Sequence, residues 1–151
     1  MRTVLITGAS GGLAQEMVKL LPDDQLILLG RDKEKLAQLY GNHPQAELVE
    51  MDITDAQALE DLVAELYQRY GKIDVLINNA GYGIFEDFDK ISNKDIHQMF
   101  EVNTFALMNL SRLVASRMKE IRKGHIINIV SMAGLIATGK SSLYSATKFA
   151  A

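Results

Sequence analysis

The segment TGASGGLA, residues 7–14, decides the predicted fold of this chain. It directly follows a short apolar run at residues 4–6 and opens a segment with helical spacing, so it forms a turn from a strand into a helix. Glycine lets the backbone turn tightly and approach a ligand, and a helix N-terminus offers free N–H groups to an anion. A glycine-rich turn in this position predicts a dinucleotide site, although a tight turn without a ligand has the same local pattern.

Short apolar, β-branched runs of strand length recur along the chain, at residues 4–6, 26–29, 46–51, 73–77 and 126–130. Segments with helical spacing separate them, at residues 13–21, 36–39, 59–70 and about 92–121. Strands that alternate with helices and are apolar along their whole length predict a parallel sheet with helices on both faces. We therefore expect one doubly wound α/β domain over residues 1–151, without an internal boundary or repeat.

Local signals mark the ends of the predicted helices. Thr54 and Gln57 have the spacing of a capping box at the start of the third helix. Pro22 follows the first helix and Gly71 follows the third, as is typical of residues just beyond a helix C-terminus. These signals support the division into elements.

Composition excludes several classes of protein. The net charge is -3 and the basic residues are interspersed with acids, which argues against nucleic-acid binding. No apolar run approaches the roughly 20 residues that span a bilayer, and no signal pattern precedes the first strand, so we expect a cytoplasmic protein without a membrane partner. There is no cysteine, and three scattered histidines do not make a metal site.

The end of the second strand bears on the choice of nicotinamide cofactor. An NAD site typically has an acidic residue there for the ribose hydroxyls, whereas a 2′-phosphate requires a cation. Gly30 occupies that position and Arg31, whose guanidinium suits bidentate phosphate binding, follows it. This favours NADP(H) over NAD(H). Alternatively, Arg31 is a solvated surface residue, and Asp32 neutralises it or binds the ribose itself.

Tyr144 and Lys148 are four residues apart in a predicted helix, so both side chains project from one face. An ammonium close to a phenol favours the phenolate, which suits the pair to exchanging a proton with a carbonyl or alcohol oxygen. Such a pair also occurs by coincidence on helix surfaces.

Several motifs in the same order resemble those of the short-chain dehydrogenase/reductase family: TGASGGLA, then NNAG at residues 78–81, then Tyr144 and Lys148. The resemblance extends from Thr7 to Lys148 and implies a Rossmann-type NAD(P)-binding fold. It also implies an oxidoreductase that transfers a hydride between a nicotinamide and a carbonyl or secondary alcohol. Ala14 departs from the pattern, since the family usually has glycine there; we expect its methyl group to be accommodated by a small shift.

The resemblance assigns roles to individual residues. Ser131, 13 positions before Tyr144, would bind the substrate oxygen, and Asn103 would position a water in the proton relay. Tyr144 would transfer the proton, while Lys148 would hold the nicotinamide ribose and tune Tyr144. Asp52 would contact the adenine edge, although it could instead cap the next helix. Besides Tyr144 and Lys148, the implied cofactor-binding residues are Gly8, Ser10, Gly11, Gly12, Leu13, Arg31, Asp52, Ile53, Asn79, Ala80 and Gly81.

Members of the family continue beyond the lysine with further strands and a substrate-covering segment, so the resemblance predicts that this chain lacks those parts. The residues expected to line a substrate pocket suggest a fairly apolar carbonyl compound: Tyr82, Phe85, Met132 and residues 135–138. A homodimer or homotetramer is implied. The competing hypothesis is a dinucleotide-binding module without turnover, which acts as a redox sensor or as a dimerisation partner through its fourth and last helices.

Overall fold

The computed structural model describes residues 1–151 and contains one five-stranded sheet. The strands are β1 (Thr3–Ile6), β2 (Gln25–Gly30), β3 (Ala46–Glu50), β4 (Val75–Asn78) and β5 (His125–Asn128). All neighbours pair in parallel, in the order β3-β2-β1-β4-β5. The direction of winding reverses between β1 and β4, and this confirms the predicted doubly wound sheet.

Six α-helices cover the sheet: α1 (Gly12–Lys19), α2 (Lys33–Tyr40), α3 (Ala56–Tyr70), α4 (Asn93–Phe100), α5 (Ala106–Ile121) and α6 (Ser142–Ala150). Short 3₁₀ turns lie at Phe88–Lys90 and Met132–Gly134. None of the helices is long and apolar enough to cross a bilayer.

The core consists of two apolar clusters, one on each face of the sheet. Successive residues of β1 and β2 point to opposite faces, so Leu5 packs with α3 and α5 while Val4 and Ile6 pack with α1 and α2. Both strands are almost wholly buried. This two-sided burial explains why their sequences are apolar without alternation.

The expectation of fully apolar strands is wrong for the two edge strands. β3 reads AELVE, and its side chains are partly exposed, with Glu50 in solvent. β5 reads HIIN and is mostly exposed. Only one long side of an edge strand is paired, and the helices cover it less completely, so polar side chains are tolerated there.

Several predicted strand boundaries also differ from the structure. β4 begins at Val75 rather than residue 73, and Asp74, just before it, has a buried carboxylate that accepts a hydrogen bond from the Thr3 N–H at 2.9 Å. β5 ends at Asn128 rather than residue 130. β3 likewise ends one residue early, at Glu50.

The start of α3 corrects the predicted capping box. Asp55, not Thr54, caps the helix, and its carboxylate accepts a hydrogen bond from the Ala58 N–H at 3.0 Å. The Thr54 hydroxyl donates instead to Asp52 at 2.8 Å and is therefore unavailable as a cap. At the other end, Gly71 adopts a left-handed conformation with φ 73°, as predicted for a residue beyond the helix C-terminus.

The fourth predicted helical stretch begins near residue 92 as expected, and Ser92 caps it, since its hydroxyl accepts from the Asp95 N–H at 3.1 Å. It is not one regular helix, however. A π-helical turn at Glu101–Phe105 interrupts it between α4 and α5. Asn103, in the middle of this turn, is fully buried. Single π-helical turns inside α-helices frequently mark functional sites.

Candidate active site

An open cleft of about 490 Å³ lies at the carboxyl ends of the strands, at the point between β1 and β4 where the direction of winding reverses. Its walls come from the segments that follow β1, β2, β3 and β4. Eleven of the residues implied in cofactor binding line it, namely Gly8, Ser10, Gly11, Gly12, Leu13, Arg31, Asp52, Ile53, Asn79, Ala80 and Gly81. In open α/β sheets this edge is where ligands bind.

The glycine-rich turn requires glycine at position 8 for two reasons. Gly8 has φ +63°, and a Cβ there would lie 2.7 Å from the Ala80 Cα. The turn thus packs directly on the backbone that follows β4. Gly11 precedes α1 without a side-chain cap, so the first N–H groups of the helix are left for a ligand. Ala14 is fully buried in the apolar cluster, which accommodates its methyl group.

Hydrogen bonds hold the turn against the segment after β4. Thr7 Oγ1 accepts from the backbone N–H groups of Asn79 and Ala80, both at 3.0 Å. The Asn79 side chain donates in return to the carbonyl oxygens of Thr7 and Gly8, at 3.2 and 3.1 Å. The NNAG segment therefore shapes the cleft floor.

A further anchor of the turn, which the sequence patterns did not indicate, is Tyr40. The buried hydroxyl of Tyr40, at the end of α2, donates to the Ala9 carbonyl oxygen at 2.6 Å. Burial raises the pKa of Tyr40, so its proton stays in place. Nothing local in the sequence signals a contact between residues 31 positions apart.

Two cationic side chains line the cleft beyond β2. Arg31 is exposed there, and Lys35, which the sequence analysis did not single out, lies on the same wall one helical turn later. The Asp32 carboxylate caps α2 by accepting from the Lys35 N–H at 2.9 Å. A Cβ on Gly30 would contact Leu36 at 3.1 Å, so this position has little room for a larger side chain.

The Asp52 carboxylate is held by its own loop and does not cap α3. Oδ1 accepts from the backbone N–H of Thr54 at 3.0 Å and from its hydroxyl at 2.8 Å. These bonds, with a smaller contribution from nearby Arg31, lower the pKa of Asp52. The carboxylate therefore stays ionised at the cleft wall.

Tyr144 and Lys148 lie on one face of α6, beside the cleft. Lys148 Nζ is 5.8 Å from the centroid of the Tyr144 ring and donates to the Ile129 carbonyl at 3.2 Å. A Cβ on Gly81 would lie 3.0 Å from Lys148 Nζ, so the ammonium adjoins a residue that lines the cleft. Burial lowers the pKa of Lys148.

Ser131 caps the 3₁₀ turn at Met132–Gly134, and its Oγ accepts from the Ala133 N–H at 3.1 Å. Because that bond uses a lone pair, the hydroxyl proton is available to another acceptor. Ser131 directly follows the loop after β5, at the same edge of the sheet as the cleft.

Asn103 has a structural function in addition to the role that the resemblance implies. Its Nδ2 donates to the Tyr82 carbonyl at 2.8 Å and to Thr147 Oγ1 at 3.0 Å, while Oδ1 accepts from the Tyr82 N–H at 3.0 Å. Both side-chain donors are thus used within the protein. Only the second lone pair of Oδ1 and the backbone remain to hold a water.

An apolar surface adjoins Tyr144. The Phe85 ring meets the Tyr144 ring edge-on, with the centroids 5.2 Å apart. Met132, in the 3₁₀ turn that packs on α6, and Leu135, which follows that turn, are 76% and 77% exposed. The apolar side chains of Phe85, Met132 and Leu135, which are expected to contact a substrate, are therefore exposed rather than buried in the core, and Phe85 lies against the phenol.

The fold and the cleft define a class of protein. A parallel doubly wound sheet with a glycine-rich turn at its switch point, next to an uncapped helix N-terminus, is a dinucleotide-binding α/β domain. Comparison with known proteins specifies the family, since the short chain dehydrogenase model matches residues 2–151. This chain belongs to the short-chain dehydrogenase family.

Similar curated proteins include oxidoreductases from distant organisms. An uncharacterized oxidoreductase of Staphylococcus saprophyticus is 35% identical over 99% of this chain, and the match covers 62% of that protein. A ketoacyl reductase of Nostoc is 36% identical over 97% of the chain and 53% of its own length. A 3-ketodihydrosphingosine reductase of Bacteroides thetaiotaomicron is 30% identical, with 97% and 53% covered. The chain thus spans between about half and two thirds of these relatives.

Similar solved structures have the same fold over nearly the whole chain. A short-chain dehydrogenase from Streptomyces avermitilis has a TM-score of 0.93 at 32% identity, covering 99% of this chain and 56% of its own. A metagenomic short-chain oxidoreductase in complex with NADP has a TM-score of 0.91 at 29% identity, covering 99% and 71%.

Proposed function

We propose that this chain is the nucleotide-binding and catalytic part of an NADP(H)-dependent oxidoreductase, which transfers a hydride between the nicotinamide and a carbonyl or secondary alcohol. The observation that carries this proposal is the position of Lys148 and Tyr144 on one helix face, with Lys148 Nζ against cleft-lining Gly81. Two relatives bear the names of reductases of keto compounds, and this agrees with the proposed reaction.

The residues of the cleft fit a dinucleotide. The free N–H groups at the start of α1 would hold the diphosphate, and Asp52 would contact the adenine edge. Arg31 and Lys35 would bind the 2′-phosphate of NADP, since both cations lie beyond β2 while the Asp32 carboxylate is engaged in capping α2. When bound, the nicotinamide supplies or accepts the hydride.

The side chains of this protein manage the proton. The Tyr144 hydroxyl donates its proton to the substrate oxygen as the carbonyl is reduced, and it takes a proton back when the alcohol is oxidised. The Lys148 ammonium favours the phenolate and would also bind the nicotinamide ribose. The free hydroxyl proton of Ser131 would bind the same substrate oxygen. Asn103 would hold a water of the proton relay.

The exposed apolar side chains of Phe85, Met132 and Leu135 favour a carbonyl compound with an apolar substituent as the substrate. We further propose a cytoplasmic protein that assembles as a homodimer or homotetramer. Two exposed apolar side chains at the start of α5, Phe105 and Met108, support an interface on that side.

The test is oxidation of NADPH and NADH by the natural full-length protein against a panel of ketones and aldehydes. We expect carbonyl-dependent oxidation of NADPH and roughly tenfold or more lower kcat/KM with NADH, because NADH lacks the phosphate that the two cations bind. Tight NADPH binding without turnover of any carbonyl would favour the competing hypothesis of a binding module. Equal rates with both cofactors would refute the preference for NADP(H).

A further inference from the structure

Thr147 is a fully buried polar residue on α6, one position before Lys148 and three after Tyr144. Its hydroxyl donates to the Tyr144 carbonyl oxygen at 2.8 Å and accepts from Asn103 Nδ2 at 3.0 Å. A buried position inside a helix usually carries an apolar residue. Thr147 departs from that rule, and its hydroxyl connects two elements of the fold.

Both elements of this contact belong to the candidate site. Asn103 lies in the π-helical turn at Glu101–Phe105, and its neighbour Thr104 donates through Oγ1 to the Thr147 carbonyl at 3.1 Å. Two consecutive residues of the turn therefore bind Thr147: Asn103 bonds its side-chain hydroxyl and Thr104 bonds its backbone carbonyl. Asn103 extends the connection to Tyr82, beside the cleft floor.

We propose that Thr147 is a positioning residue, which fastens α6 to the π-helical turn and thereby holds Tyr144 and Lys148 in register with the cleft. The inference rests on the proposed function, because register matters only if the two side chains act on a bound substrate and cofactor. A displacement of about 1 Å at a reacting group can reduce turnover by roughly two orders of magnitude. The Thr147 hydroxyl thus acts on catalysis through the positions of Tyr144 and Lys148.

The experiment compares Thr147→Val with Thr147→Ser in the natural full-length protein. Valine keeps the branched shape and removes both hydroxyl bonds, whereas serine keeps the hydroxyl. Ser145→Ala is the matched control, because Ser145 is also buried on α6 but its hydroxyl contacts only Ser141, at 3.1 Å.

With NADPH and the best carbonyl of the panel, we expect kcat of Thr147→Val to fall about tenfold or more while KM for NADPH changes less than about threefold. Thr147→Ser should restore kcat, and Ser145→Ala should retain it. Wild-type kcat in Thr147→Val, or equal losses in the valine and serine variants, would overturn the inference. If Thr147→Val does not fold, Thr147→Ala, which also removes the hydroxyl, takes its place with the same expected and contrary results.

Amide hydrogen exchange at Tyr82 separates this inference from the proposed function. The Tyr82 N–H donates to Asn103, which Thr147 holds in place, so Thr147→Val should accelerate its exchange and Thr147→Ser should restore protection. This measurement requires no turnover. If none of the carbonyls in the panel supports NADPH oxidation by the wild type, the proposed function fails. Unchanged exchange at Tyr82 in Thr147→Val overturns the positioning role instead.

Discussion

Replacing Gly8 by alanine should destabilise the protein far more than the same replacement at Gly139. Gly8 has φ +63°, in the left-handed region that L-residues avoid, and its absent Cβ would lie 2.7 Å from the Ala80 Cα and 3.0 Å from the Ala80 nitrogen. Both contacts are backbone atoms, which cannot rotate away. A Cβ at Gly139 meets nothing within 4 Å and its φ is not positive, so Gly139→Ala is the matched control.

The expected magnitude has two parts. An alanine in the left-handed conformation costs about 1 to 2 kcal/mol, and forcing a methyl group into a packed site costs typically about 1 to 3 kcal/mol. Together they lower the free energy of unfolding by about 2 to 5 kcal/mol. For a domain of this size, 1 kcal/mol corresponds to roughly 2 to 4 °C in Tm, so Gly8→Ala should melt about 4 to 20 °C below the wild type.

Thermal unfolding followed by circular dichroism measures this difference directly, and a urea titration supplies the free energy. Gly139→Ala should stay within about 0.5 kcal/mol of the wild type, as is usual for exposed substitutions. A Tm for Gly8→Ala equal to that of Gly139→Ala would refute the reasoning, because it would mean that the turn does not pack on the segment after β4.

Four further changes test separate parts of the structure. Arg31→Ala should weaken the binding of NADPH by about 1.5 to 3 kcal/mol and that of NADH little, as measured by fluorescence titration. Equal losses of binding energy for the two cofactors would show that Arg31 is only a surface charge. Tyr40→Phe should weaken the binding of NADPH and NADH equally and lower Tm by about 2 to 4 °C, because the Ala9 carbonyl in the glycine-rich turn loses its hydrogen-bond donor. Asp55→Ala should cost about 1 kcal/mol in a urea titration through loss of the α3 cap, whereas an unchanged midpoint would contradict the assigned cap. The hydrogen bond from Arg2 lowers the pKa of Asp24 below the ordinary value of an aspartate, so the stabilisation from the ionised carboxylate is present at neutral pH and is lost as pH falls through the folded-state pKa. Asp24→Asn should therefore lower Tm at neutral pH, and the difference should shrink in acid; a constant difference would contradict this assignment.

The sequence predicts those features that local chemistry determines. The buried strands β1 and β2, the glycine-rich turn and Gly71 at the end of α3 each follow from a residue pattern within a few positions. The location of the cleft follows as well, because parallel strands bring the segments after β1 and β4 to one edge.

Other features depend on competition between neighbouring residues or on contacts between distant ones, and local sequence patterns do not predict them. Thr54 and Asp55 are both good caps, and Asp52 decides between them by accepting the Thr54 hydroxyl. The π-helical turn at Glu101–Phe105 adds one residue to a turn, and no glycine or proline within residues 92–121 marks its position in the sequence. Polar residues in β3 and β5 depend on which strands form the sheet edges, and this is known only from the topology.

The contacts of Tyr40 and Thr147 illustrate the same limit within the site. Each joins residues that are distant along the chain, the first over 31 positions and the second over 44. In sequence, Tyr40 reads as an apolar residue ending a helix and Thr147 as an ordinary helix residue. Their partners become known only when the turn and the helices are packed together.

Turnover by Tyr144→Phe tests the central claim most directly, namely that Tyr144 transfers the proton in an NADPH-dependent reduction. The change removes one hydroxyl and keeps the ring that meets Phe85, so Tm and NADPH affinity should match the wild type in the natural full-length protein. We expect carbonyl-dependent NADPH oxidation to be almost abolished. Near-normal oxidation by Tyr144→Phe at saturating NADPH would contradict the account, because the proton would then come from another group.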